Sequence, residues 1–302
     1  MNEWLLSLVG TPEGARLATF LALTAALAHA VFGALQKGGH DPWLSRGSID
    51  LALVVLSAPI ALFVFGPPAP HMWPVLVGVV VIHFIYKMAM ALAYEKAAFT
   101  VVYPVVRGTG PLITVLAAML FFGEQYTALQ WLGVVCLSGG ILLLALRNLS
   151  EEQIDMRALK VGLIWALAGG VMVAVYTTYD AWAIRLSGDP LGFLAWFFFL
   201  SSVDFMILGA LRYRNMAHPP RPIPLLLRGL AGALIAYISF GAVMIATLIG
   251  KVGEAAVLRE TSTVFAAFIG WFILKEHVGP RKLALMCMIA LGAVIMELGR
   301  AS

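Results

Sequence analysis

Few ionisable side chains fall inside the apolar stretches of this chain, and those few set its chemical options: His29, His83, Lys87, Arg107, Asp180, Arg259 and Glu260. An ionised group at bilayer depth is expensive and faces a bundle interior or a water-filled cavity. Arg107 sits in VVYPVVRGTGPLITVLAAMLFFGE (residues 101–124), roughly 9 Å below one face at about 1.5 Å of rise per residue. Lys87 and His29 fall at nearly the same depth below the same face. Helical spacing puts His83, Lys87, Met90 and Tyr94 on one stripe, and Tyr103, Arg107 and Thr114 on another. Clustered cations of this kind suit charge-assisted hydrogen bonds to a carboxylate or, as a weaker candidate, a phosphonate.

A second layer, mixed in sign, is expected near the opposite face from Tyr176, Asp180, Arg259 and Glu260, on the order of 10–15 Å away. It suits an ammonium end or a proton. Tyr86 and Tyr237 are placed on the remaining wall of the same cavity. Plainer readings stand beside these. Lys87 could snorkel to the interface, Arg107 could pair with Glu95, Asp180 and Arg259 could form a static bridge, and His29 could be a hydrogen-bonded core histidine. Asp204, in SSVDF, is read as structural, and WFFFL (196–200) as lipid-facing. Lys37, Arg185, Glu124 and Glu276 are read as interface anchors or caps.

The elements that must position these groups are transmembrane helices. The chain has 302 residues, 61% hydrophobic and 12% charged, with mean hydropathy +0.93. Apolar runs of roughly 20 residues recur throughout, each long enough to cross the hydrocarbon as a helix. They do not alternate as barrel strands would, so the expected class is an all-α integral membrane protein. Ten spans are expected, at 17–36, 48–66, 74–94, 101–122, 127–147, 158–185, 191–211, 226–249, 254–274 and 281–299. Cys136 and Cys287 lie inside apolar runs without a CxxC or Cys/His grouping, so neither a disulfide nor a metal site is expected. MNEWLLSLVG lacks a basic n-region and is read as an interfacial helix or ordinary terminus rather than a cleavable signal.

The two halves align with each other. Sliding 101–144 onto 253–296 pairs Arg107 with Arg259, Thr109 with Thr261, Glu124 with Glu276 and Gly140 with Gly292. Five spans per half is an odd number, so the second copy lies inverted, and inverted repeats place a substrate site near the midplane between them. The expected division is a first repeat at 1–147, a linker at 148–157 and a second repeat at 158–302. Lys and Arg concentrate in the loops after spans 1, 3, 5, 7 and 9, which puts those loops in the cytoplasm and both termini outside. Pro104, Pro111 and nearby glycines predict a bend in the fourth span.

PLITVLAAMLFFGE (111–124), followed by QWLG (130–133), together with FIGWFILKE (268–276), resembles the EamA family of the drug/metabolite transporter superfamily over essentially the whole chain. AHAVFGALQK (28–37) resembles a subgroup motif, with Gly33 where that motif has Asn. The resemblance implies a ten-helix inverted-repeat carrier around a central cavity, in the bacterial inner membrane. It also implies cytoplasmic termini, against the charge count. Function is therefore expected to be secondary transport of a small polar, amphoteric or anionic metabolite such as an amino acid, with protons as a coupling ion, no cofactor, no nucleic acid and a monomeric state. A multidrug exporter or lipid-linked-sugar flippase is the alternative. An intramembrane protease reading fails because Asp189 precedes Pro190 in a loop, and no HExxH is present.

Overall fold

A computed structural model describes residues 1–36, 41–96, 99–151, 156–272 and 279–300. Lys37, Lys275 and Glu276 lie outside the described residues, as do residues 152–155 of the expected 148–157 linker. A short helix, α1 (Asn2–Ser7), precedes α2 (Pro12–Gln36), α3 (Pro42–Pro59), α4 (Met72–Lys96), α5 (Phe99–Phe122) and α6 (Ala128–Glu151). The second half comprises α7 (Met156–Ser187), α8 (Pro190–Arg214), α9 (Pro222–Ile249), α10 (Val252–Arg259), α11 (Ser262–Phe272) and α12 (Pro280–Leu298). Helix α3 continues beyond Pro59 as a π-helical turn, Ile60–Phe65.

Eight of these helices are long and apolar enough to cross a membrane. The broken pair α10/α11 and the 19-residue α12 complete about ten passes. Helices are the outcome because hydrocarbon offers no partner to a bare peptide group. Starts are marked locally. Asp41 accepts from the Trp43 and Leu44 N–H groups ahead of Pro42, and Asp189 accepts from Gly192 N–H ahead of Pro190. Both are N-caps followed by proline at the first helical position.

Packing reproduces the inverted repeat. Helix α2 packs along α9 as its counterpart α7 packs along α4, and α5 packs on α7 as α10 and α11 pack on α2. Two pairs sit astride the relation, α3 with α8 and α6 with α12. Both need small residues at the crossing. A Cβ on Gly47 would lie 2.6 Å from Gly209 Cα, and one on Gly133 would lie 2.6 Å from the Met296 nitrogen. Such close approach of backbones is how helices associate in lipid, where burial of apolar surface gives little drive.

Two expectations change here. The fourth span carries Pro104 and Pro111 yet runs as one helix, α5. The interruption lies in the ninth span, at Glu260–Thr261, where the sequence has no proline. Hydroxyls explain the break: Thr261 Oγ1 donates to Leu258 O (2.7 Å) and Thr263 Oγ1 to Glu260 O (2.8 Å), while Glu260, Thr261 and Thr263 N–H bond three residues back. Side-chain hydroxyls that capture local carbonyls compete with the helical ladder. The second change concerns 196–200. Trp196, Phe197 and Phe198 are buried, not turned to lipid, because α8 packs against α3 and α4 and Phe197 meets the His83 ring edge-on at 4.9 Å.

Candidate functional site

The break between α10 and α11 is where charge from both halves converges. Helix α5 supplies Arg107, and the end of α10 supplies Arg259 and Glu260. Arg107 Nη1 donates to Glu260 Oε1 at 2.9 Å, and Arg259 Nε and Nη2 approach the same oxygen at 3.4 Å. Glu260 Oε2 is buried without a hydrogen-bond partner among the described residues. The two layers expected from the sequence are therefore joined, because an arginine side chain is long enough to bridge them. Arg107 pairs with Glu260 rather than with Glu95, which is exposed.

His29, on α2, accepts at Nε2 from Arg107 Nη2. Guanidinium has no acceptor, so the His29 proton sits on Nδ1, 3.4 Å from Ser239 Oγ on α9. The His29 ring stacks on Tyr103 at 6.1 Å and meets Phe240 edge-on. Tyr103 lies under the Arg107 guanidinium at 5.2 Å, and its hydroxyl is 3.4 Å from Ser262 Oγ. Arg259 lies 5.9 Å from the Tyr176 ring. Cations over aromatic faces keep part of their solvation in a dry site.

Beyond Tyr176 stands a second pair, His83 Nε2 and Asp180 Oδ2, 2.8 Å apart and buried. Tyr176 packs on the His83 ring at 4.9 Å and on Tyr86 at 5.0 Å. Asp180 Oδ1 has no partner among the described residues. Asp180 thus pairs with His83 rather than bridging to Arg259.

The structure does not bring Lys87 to this centre. Its ammonium is held by Asp50 (2.9 Å), Asp204 and the Ser201 carbonyl, with Arg46 on the other oxygen of Asp50 at 2.8 Å. Lys87 is neither snorkelled nor free: it closes a buried cluster between α3, α4 and α8. The structural reading of Asp204 fits this placement. Asp50, fully buried, went unnoticed in the sequence, although Arg46 and Asp50 stand four residues apart in α3. Tyr237 also lies elsewhere, its ring 4.1 Å from Phe198 on α8.

A cavity of about 810 Å³ opens at the face that carries both chain ends. Its lining includes Pro12, Thr19, Glu124, Arg185, Lys251, Glu254, Leu258 and Arg300. Leu258 lines this cavity, whereas His29, Tyr103, Arg107, Arg259 and Glu260 do not. Glu124, at the end of α5, accepts from Val252 N–H (2.6 Å) and Gly253 N–H (3.2 Å), capping α10 across the repeat boundary. Tyr126 donates to the same carboxylate. Burial, then that neighbouring negative charge, pushes the Tyr126 phenol above its usual range. Arg185 is spent on the Thr247 and Gly250 carbonyls. Among the described residues no group of His, Cys, Asp and Glu could hold a metal ion.

With this geometry in hand, the chain matches the model of the EamA-like transporter family twice, at residues 16–146 and 160–298. It is 35% identical over 72 residues to the uncharacterized protein y4nH of Sinorhizobium fredii (strain NBRC 101917 / NGR234), a match spanning 24% of this chain and 62% of that relative's length. It also superposes on a crystal structure described only as that of a protein, with a TM-score of 0.74 over 96% of this chain and 99% of that one. Sequence identity there is 20%, a likeness of fold alone.

Proposed function

The chain belongs to the EamA-like transporter family, and we propose that it moves a small polar metabolite bearing a carboxylate, anionic or amphoteric, across its membrane by alternating access between the two inverted repeats. One observation carries the reading: two buried guanidiniums share a single oxygen of Glu260. Arginine forks match carboxylates two bonds at a time, yet both Arg259 contacts to Glu260 are long, 3.4 Å, and fall on one oxygen. A substrate carboxylate would take up these donors. An amphoteric solute would place its ammonium at Glu260 Oε2 or Asp180 Oδ1, each buried without a hydrogen-bond partner among the described residues. Tyr103 and Tyr176 supply aromatic walls, and the 810 Å³ cavity the approach.

The proposed repeats are 1–147 and 158–302, joined by 148–157, rocking about the centre with Glu124 holding α10 at the cavity side. The Lys and Arg distribution supports a non-cytoplasmic cavity mouth. Paired guanidiniums weigh against export of cationic drugs. Thermal-shift screening of the purified protein against amino acids, organic acids, organophosphates, polyamines, nucleosides and lipid-linked sugars tests the class. Carboxylate-bearing solutes should stabilise the wild type and leave Arg107→Ala unmoved. Stabilisation by polyamines or lipid-linked sugars alone would replace this reading with another.

A further inference from the structure

We propose that His83 and Asp180 form the binding site for a coupling proton, and that an anionic substrate and this proton occupy the protein together, one for one. The inference rests on reading Arg107 and Arg259 as the anion grip.

The fixed charges around the centre are Arg107 and Arg259 against Glu260 and Asp180, a neutral set. His29 adds none, since it accepts from Arg107. In a buried, low-dielectric site, departures from neutrality are costly. An anion alone leaves the set one charge negative, and a proton on His83 alone leaves it one charge positive. Both together restore neutrality. Each ligand therefore favours the other, and the linkage is reciprocal. A neutral amphoteric solute brings no such demand.

The surroundings of His83 fit the assignment. From α7 it faces Asp180, 2.8 Å away, and Tyr176. From α8 it faces Phe197, uncharged. On α4 itself, Lys87 lies one turn on, but Asp50 of α3 and Asp204 of α8 hold it within a neutral cluster. From α5, Arg107 stands at the charged centre, and Arg259 of α10 lies on the Tyr176 ring. The Tyr176 ring thus lies between the two, 4.9 Å from the His83 ring and 5.9 Å from the Arg259 guanidinium. Asp180 Oδ1, buried and unpartnered, leaves the pair room to hold its proton on either residue. Permanent cations close the neighbouring Lys87 cluster, whereas a histidine, the side chain that changes charge near neutral pH, occupies this one.

Isothermal titration of the purified protein in two buffers of different ionisation enthalpy counts protons taken up on binding. Pyruvate serves as the anionic probe and alanine as the amphoteric one. Pyruvate should bind with uptake of close to one proton, and its Kd should weaken about tenfold per pH unit where His83 is unprotonated in the free protein. Alanine should bind without uptake, and His83→Gln should bind pyruvate with no uptake and a flat pH profile. Pyruvate binding without proton uptake, or unchanged uptake in His83→Gln, would overturn the proposal. If neither probe binds, the anion grip itself fails, and a ligand-free titration decides the proton site separately. Wild type should take up more protons than His83→Gln in that titration, and equal counts would refute the site.

Discussion

The two buried charge clusters are built from similar side-chain types and share out their contacts differently. Between α3, α4 and α8, Lys87 and Arg46 meet Asp50 and Asp204, and the Ser201 carbonyl takes a further ammonium proton. Two cations meet two carboxylates there, although Asp50 Oδ1 and Asp204 Oδ2 make no hydrogen bond among the described residues. At the α5–α10 contact, two guanidiniums compete for one carboxylate oxygen while the other oxygen goes unused. Burial alone therefore does not mark a binding site. The first cluster ties α8 of one repeat to α3 and α4 of the other, and the second is the one we propose as the substrate grip.

The comparison breaks first at Lys87. Lys87→Met leaves the buried Asp50 carboxylate with Arg46 and takes the ammonium from part-buried Asp204, and removing one partner of such a set costs about 3–5 kcal/mol. A sharp fall in the thermal unfolding midpoint is expected, partly recovered by adding Asp204→Asn. A stable Lys87→Met protein that no longer transports would reverse the roles of the two clusters. Next, Arg259→Gln should lower transport into proteoliposomes by about 100-fold, on the order of 2.7 kcal/mol for lost charged hydrogen bonds, with its unfolding midpoint near that of the wild type. Gly47→Ala drives a methyl into the Gly209 backbone and should cost about 1–3 kcal/mol of stability through overpacking of α3 on α8. Last, Glu124→Ala removes the acceptor for two α10 N–H groups, worth about 1 kcal/mol as a lost cap. Chemical denaturation in detergent reads both.

Much of this molecule could be read from its residues. Hydropathy gave the passes, and the alignment of Arg107 with Arg259 gave the inverted repeat, because both depend on local composition and period. Helical stripes also put Tyr103 and Arg107 in the interior, and depth put His29 there. What the stripes lack is the partner. Lys87 shares a depth with Arg107, but depth does not say which neighbouring helix faces it, and Asp50 and Asp204 come from helices far away in the chain. The break in the ninth span was hidden for a similar reason. Proline announces itself, whereas the Thr261 and Thr263 hydroxyls act only when they find the Leu258 and Glu260 carbonyls. The aromatic run at 196–200 was misplaced because an apolar residue suits lipid and core equally.

The most direct test compares alanine or pyruvate binding by calorimetry in three folded proteins: wild type, Arg107→Ala, and the Lys87→Met/Asp204→Asn pair. Binding should vanish in Arg107→Ala and stay within about threefold of wild type in the double variant. A folded Arg107→Ala that still binds, beside a folded double variant that does not, would contradict the account.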